Sequence, residues 1–194
     1  MLTRLKLRRD RRQKARSLYG SIVTQARMRG FYAHWGVPDT AAARFEMIAL
    51  HLVVVLHRLR HDGRPGQHLA RALTETFAVD VDDNLREMTV GDLAVPRHVK
   101  RAVGALQERH ASYRSALAGP GDDVLAAVVQ ERLGAAIGGL DVSRICAYIR
   151  RLSHRLGQLP SAEVLAGRIA WPQIDAAGGD VGGVRQVTEG EDAR

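Results

Sequence analysis

From Leu18 to Leu156 the apolar residues recur every three or four positions, and no run alternates with a period of two. That spacing gathers them on one side of a helix, whereas a half-buried strand would alternate. The first helix is expected over 10–29, with Leu18, Ile22 and Ala26 in one stripe, before Gly30 and Gly36-Val37-Pro38 break it. The second is expected over 40–61, where Asp39 or Thr40 can offer a side-chain oxygen to the unpaired N–H groups of the first turn. Phe45, Ile48, Leu52, Leu56 and Leu59 mark one face of it, with Met47, Leu50, Val53 and Val54 elsewhere. A helix apolar nearly all round belongs at the centre of a fold.

Asp62-Gly63-Arg64-Pro65-Gly66 reads as a turn, followed by a helix over 67–78 and a short one over 81–89. Pro96 fits the first turn of a helix over 96–118, whose stripe is Val99, Val103, Leu106, His110, Tyr113 and Leu117. Gly119-Pro120-Gly121 interrupts, helices are expected over 122–138 and 142–156, and Pro160-Ser161-Ala162-Glu163 opens a last short one. From about 173 the chain carries five glycines and few large apolar residues, the composition of a disordered tail. The expected fold is all-α: a compact bundle of about seven to eight helices around the central 40–61 helix. Residues 17–172 would form one helical domain between an arm, 1–16, and the tail, 173–194.

With 194 residues, 45% of them apolar, the chain can bury a core without covalent staples. Cys146 is the sole cysteine, which excludes an internal disulfide framework and a thiolate metal cage. The net charge of +8 is concentrated at one end. Residues 1–16 hold Arg4, Lys6, Arg8, Arg9, Arg11, Arg12, Lys14 and Arg16 against Asp10, a net +7, and the rest of the chain is nearly neutral. Such an arm fits a solvated leader, an anionic membrane surface, or ribosomal or other nucleic acid. The lack of aromatics in it argues against reading bases, so no sequence-specific nucleic-acid partner is expected. The longest apolar stretch, Met47 to Leu56, is half of what a spanning helix needs, and Leu2, Leu5 and Leu7 alternate with charges unlike a secretory signal. The expected location is the cytoplasm, including the inner face of its membrane.

Candidate chemistry is sparse. Asp80, Asp82, Asp83 and Asn84 suggest a calcium loop, but Leu85 and Gly91 stand where it needs glycine and glutamate. Acids crowding a helix N-terminus, or a charged partner surface, account for them better. His57 and His61 share a helix face as zinc ligands can, yet no glutamate lies between them and Arg58, Arg60 and Arg64 surround them. His51, inside the apolar run, reads as a hydrogen-bonded core histidine. Gly134 and Gly138 are followed by no Lys-Ser/Thr, so they form no phosphate loop, and no nucleophile motif surrounds Cys146. No catalytic residue, metal ligand or cofactor is assigned. Phe31, Tyr32 and Trp35 fall in a short connection and suit either an interface or a loop pinned to its own domain.

The string Leu18-Tyr19-Gly20-Ser21-Ile22-Val23-Thr24-Gln25-Ala26-Arg27 is distinctive, with Phe31-Tyr32, Gly36-Val37-Pro38-Asp39-Thr40 and Arg44-Phe45-Glu46-Met47-Ile48-Ala49-Leu50-His51 after it. A second block runs Asp82-Asp83-Asn84-Leu85-Arg86-Glu87-Met88, then Val90-Gly91-Asp92-Leu93 and Val95-Pro96. Over about 17–117 these resemble the ubiquinol–cytochrome c chaperone family of complex III assembly factors, in its bacterial form. The resemblance implies a non-enzymatic, all-helical protein that binds newly made cytochrome b and stabilises it during haem insertion and assembly, with a small partner protein in mitochondrial members. A helper for such a client could offer an apolar groove beside an acidic rim, and Tyr19, Phe31, Tyr32, Trp35, Asp39, Arg44, Glu46, Asp80, Asp82, Asp83, Arg86 and Glu87 are the candidate client or partner contacts. Arg4, Lys6, Arg8, Arg9, Arg11 and Arg12 would make the electrostatic contact with membrane or ribosome. The rival functions are a basic-arm ribosome or nucleic-acid adaptor, and an enzyme whose site follows no familiar pattern.

Overall fold

The apolar run in the middle of the chain forms a helix, Ala41–Leu59, in which every residue from Met47 to Leu56 is buried. The computed structural model describes residues 2–87, 94–119, 121–134 and 139–174, with side chains from residue 6 onward. Within these residues the chain is all-α, with six long helices and two short ones. They are α1 (Leu2–Ala26), α2 (Arg29–Ala33), α3 (Ala41–Leu59), α4 (Gly63–Glu87), α5 (Val95–Ala118), α6 (Asp123–Leu133), α7 (Val142–Gln158) and α8 (Ser161–Leu165). A 3-10 turn, Arg60–Asp62, joins α3 to α4.

The centre is α3, packed against α1, α4, α5 and α7. It starts where Thr40 accepts a hydrogen bond from the Ala43 amide at 3.2 Å, the capping expected from the sequence. Helix α7 buries Ile145, Cys146, Tyr148, Ile149, Leu152 and Leu156, while its four arginines are half-buried. Its N-cap is Asp141, which accepts from the Arg144 amide at 3.0 Å. The loop before α3 crosses the loop before α7 at Gly36, whose φ is 72°. A Cβ there would run into the Gly139 carbonyl, so this crossing requires glycine.

One buried polar chain ties the bundle together. His51 Nδ1 lies 2.7 Å from the Met47 carbonyl, which can only accept, so the ring carries its proton on Nδ1. Its Nε2 therefore accepts from the Tyr148 hydroxyl at 2.7 Å. Gln25 donates to that hydroxyl at 3.1 Å and to the Pro172 carbonyl at 2.8 Å. The chain thus links α1, α3, α7 and the segment after α8. Burial pushes the His51 pKa down to about 4, consistent with a neutral ring, and raises that of Tyr148. Around it Phe31 packs edge-on to Trp35 and Tyr148, each at 5.1 Å, and Trp171 lies 5.8 Å from His51.

The observed boundaries depart from the expected ones in four places. Helix α1 begins at Leu2, so the basic arm is helical and continuous with the first core helix. The aromatic connection contains its own short helix, α2. The turn expected over 62–66 falls slightly earlier, at Arg60–Gly63, where the 3-10 turn and Gly63 with its φ of 58° separate α3 from α4. Arg64-Pro65-Gly66 already lie in the first turn of α4, where proline is tolerated because the N–H groups have no intrahelical partner. Helix α4 then runs unbroken to Glu87, absorbing both helices expected over 67–89. The acidic run thereby lies at a helix C-terminal end, which corrects the N-terminal reading. Residues 1, 88–93, 120, 135–138 and 175–194 lie outside the described residues, and with them the end of the helix expected over 122–138 and most of the expected tail.

Candidate functional site

The residues singled out in the sequence divide into core ties and an exposed charged surface at one end of the bundle. Phe31 and Trp35 are 0% and 1% exposed and belong to the aromatic cluster around Tyr148. Their place in the core corrects the expectation that the two present a client-facing aromatic loop. Only Tyr32 of the three reaches the surface, its hydroxyl donating to the Ala26 carbonyl at 2.9 Å.

Glu46 is a tie as well. Arg109 on α5 grips it with Nε to Oε2 at 2.7 Å and with its second arm to Oε1, while Nη1 bonds the Ala105 carbonyl at 2.9 Å. The guanidinium also lies over the Phe45 ring, 5.6 Å from its centroid. Tyr19 donates to Asp80 Oδ2 at 2.9 Å and joins α1 to α4. Its phenol pKa is raised, first by burial and then by the Asp80 charge.

The remaining candidates are accessible. On α4, Val79 is 58% exposed, and Asp82, Asp83 and Arg86 follow it by three, four and seven residues, on the same helix face. Asp82 accepts from Arg86 at 2.6 Å, whereas Asp83 and Glu87 are exposed. An apolar side chain bordered by carboxylates results. Reading 67–89 as two helices hid Val79, because its shared face with the acids exists only in an unbroken α4.

Beside this end, Arg27, Arg29, Tyr32, Asp39 and Arg44 line a cleft of about 240 Å³ between α1, α2 and α3. Arg44 Nε donates to Asp39 Oδ1 at 2.7 Å, and that bond holds the Asp39 carboxyl below its ordinary pKa. Arg27 and Arg29 have no acidic partner among the described residues. A shallower cleft of about 290 Å³ is lined by Arg150, Arg151, His154 and Arg155 on α7.

Among the described residues no group of three or more His, Cys, Asp or Glu is arranged to hold a metal ion. The His57 and His61 rings meet edge-on with centroids 5.7 Å apart, and burial, followed by the charges of His61, Arg60 and Arg114, lowers the His57 pKa. Cys146 is buried, which raises its thiol pKa and makes it a poor nucleophile. No described helix is long and apolar enough to cross a membrane.

The ubiquinol–cytochrome c chaperone family profile matches residues 33–171. That span extends past residue 120, beyond the stretch whose resemblance was legible in the sequence, and begins after the Leu18–Arg27 string. No curated protein matches the sequence. Among solved structures, the crystal structure of the Cbp3 homolog from Brucella abortus is similar with a TM-score of 0.79 and 28% identity, covering 90% of this chain and 98% of that one. Matched over most of its length and folded like that homolog, the chain belongs to the ubiquinol–cytochrome c chaperone family.

Proposed function

We propose that this protein is an assembly chaperone that binds newly synthesised cytochrome b and stabilises it during haem insertion and assembly of ubiquinol–cytochrome c reductase. It acts by lending a complementary face, with no bond made or broken. Family membership carries this reading. Its physical counterpart is the C-terminal end of α4, where exposed Val79 stands among Asp82, Asp83 and Glu87. Cytochrome b is apolar over most of its length, and cytoplasmic loops of membrane proteins are rich in Lys and Arg. An apolar contact bordered by carboxylates matches such a loop in both respects, and electrostatic complementarity of this kind raises capture rate and selectivity.

Deletion of the gene in the host, followed by measurement of cytochrome b abundance and of complex III activity, tests the function. Both should fall, and normal levels of both would reject it. Complementation with an Asp82→Asn, Asp83→Asn, Glu87→Gln variant tests the surface. Cytochrome b should remain depleted although the variant folds and accumulates normally.

A further inference from the structure

We propose that the outer face of α1, with the cleft at its C-terminal end, is a docking strip for an anionic lipid membrane. Arg9, Arg16 and Arg27 are separated by seven and eleven residues, two and three helical turns, so they fall on one line. All three are exposed, and Lys6 and Arg12 flank the line, also exposed. Arg27 belongs to the same helical course, since its amide bonds the Val23 carbonyl at 3.1 Å. At 1.5 Å per residue the strip is about 27 Å long. Its buried counterpart is Ala15, Leu18, Ile22 and Ala26, so the body of the protein lies behind it.

The strip is nearly free of acids. Asp10, the one acid of α1, lies about 100° round the helix from the arginine line and pairs with Lys14 at 2.7 Å. At the end of the strip, Asp39 is occupied by Arg44, which leaves Arg27 and Arg29 open to solvent in the cleft. Two guanidinium groups in one cleft suit the oxygens of a phosphate, because each presents several N–H donors in a planar fork.

A row of cations on one side of one helix can meet a plane along its whole length, and the cytoplasmic leaflet is such a plane with negative surface potential. A nucleic acid would also attract the charge. Yet residues 1–16 offer no aromatic platform on which bases stack. The choice of membrane rests in part on the reading of the client as a membrane protein, since docking would hold the chaperone where that client is inserted.

Sedimentation of the full chain with vesicles tests the strip without any client, so its outcome is separable from that of cytochrome b capture. The protein should pellet with phosphatidylcholine–phosphatidylglycerol vesicles, stay in solution with phosphatidylcholine alone, and be released as salt rises. Each strip cation removed should weaken binding about fivefold, so Arg9→Gln, Arg16→Gln and Arg27→Gln together lower it on the order of a hundredfold. The control is Arg71→Gln, Arg97→Gln and Arg101→Gln, three exposed arginines of α4 and α5 with the same loss of charge. Its binding should fall much less. Equal loss in the two triple variants, no binding to anionic vesicles, or release from them by stoichiometric ribosomal RNA would overturn the proposal.

Discussion

Replacing Tyr148 by Phe removes one oxygen and leaves the ring, its burial and its edge contacts with Phe31 and Trp35 in place. The oxygen lost is the middle of the buried chain, donor to His51 Nε2 and acceptor from Gln25. His51 Nε2 is then left with no partner in a fully buried ring, at a cost of about 1–3 kcal/mol. Gln25 keeps its bond to the Pro172 carbonyl, so its loss is smaller, near the ~1 kcal/mol of one ordinary hydrogen bond. Together they predict a destabilisation of about 2–4 kcal/mol. For a chain of this size that lowers the melting temperature by roughly 5–15 °C. Urea unfolding followed by helical circular dichroism reads the first figure, and a thermal scan the second. A loss under about 0.5 kcal/mol would show that the hydroxyl is not bonded as described.

Further outcomes follow from the same geometry. His51 has a folded pKa of about 4 against an ordinary 6.5, so the unfolded chain binds the extra proton between those values. Its contribution is complete above pH 6.5 and is lost as pH falls toward 4, about 3 kcal/mol in all, a loss that a His51→Gln variant should lack in pH-dependent unfolding. Trp35→Ala should cost about 3–5 kcal/mol and reduce client capture only as far as it unfolds the protein; full stability in calorimetry would return Trp35 to the surface. Arg109→Ala should destabilise by about 2–4 kcal/mol, because the partly buried Glu46 carboxylate loses both its bonds, and Glu46→Gln in that background should recover part of the loss in urea unfolding. Asp39→Asn should leave the melting temperature unchanged, since the pair is exposed, and raise affinity for anionic vesicles by freeing Arg44.

What the sequence disclosed depended on how local each determinant is. The α3 core, the Thr40 cap and the Pro96 helix start were legible because one segment carries each signal. His51 could be placed in the core from its neighbours, although its partner Tyr148, and the Gln25 that bonds the same hydroxyl, are distant in the chain and left no local mark. The break inside α4 was misplaced because an acidic run between apolar stretches suggests the start of a new helix, and only packing against α1 and α3 shows that the helix continues. Phe31 and Trp35 look the same in sequence whether they anchor an interface or fill a core. Their buried position follows from α7 arriving more than 100 residues later, with Tyr148 to pack against them. The arginine line on α1 was obscured by the other cations around it, and exposure along the helix was needed to separate Arg9, Arg16 and Arg27 from the rest.

The most direct measurement is the recovery of newly synthesised cytochrome b with the tagged protein from pulse-labelled cells. Labelled apocytochrome b should co-purify with the wild-type chain and fall sharply with Asp82→Asn, Asp83→Asn and Glu87→Gln, while other new membrane proteins stay at background. Absence of labelled cytochrome b from the wild-type eluate, with the protein folded and abundant, would contradict the account.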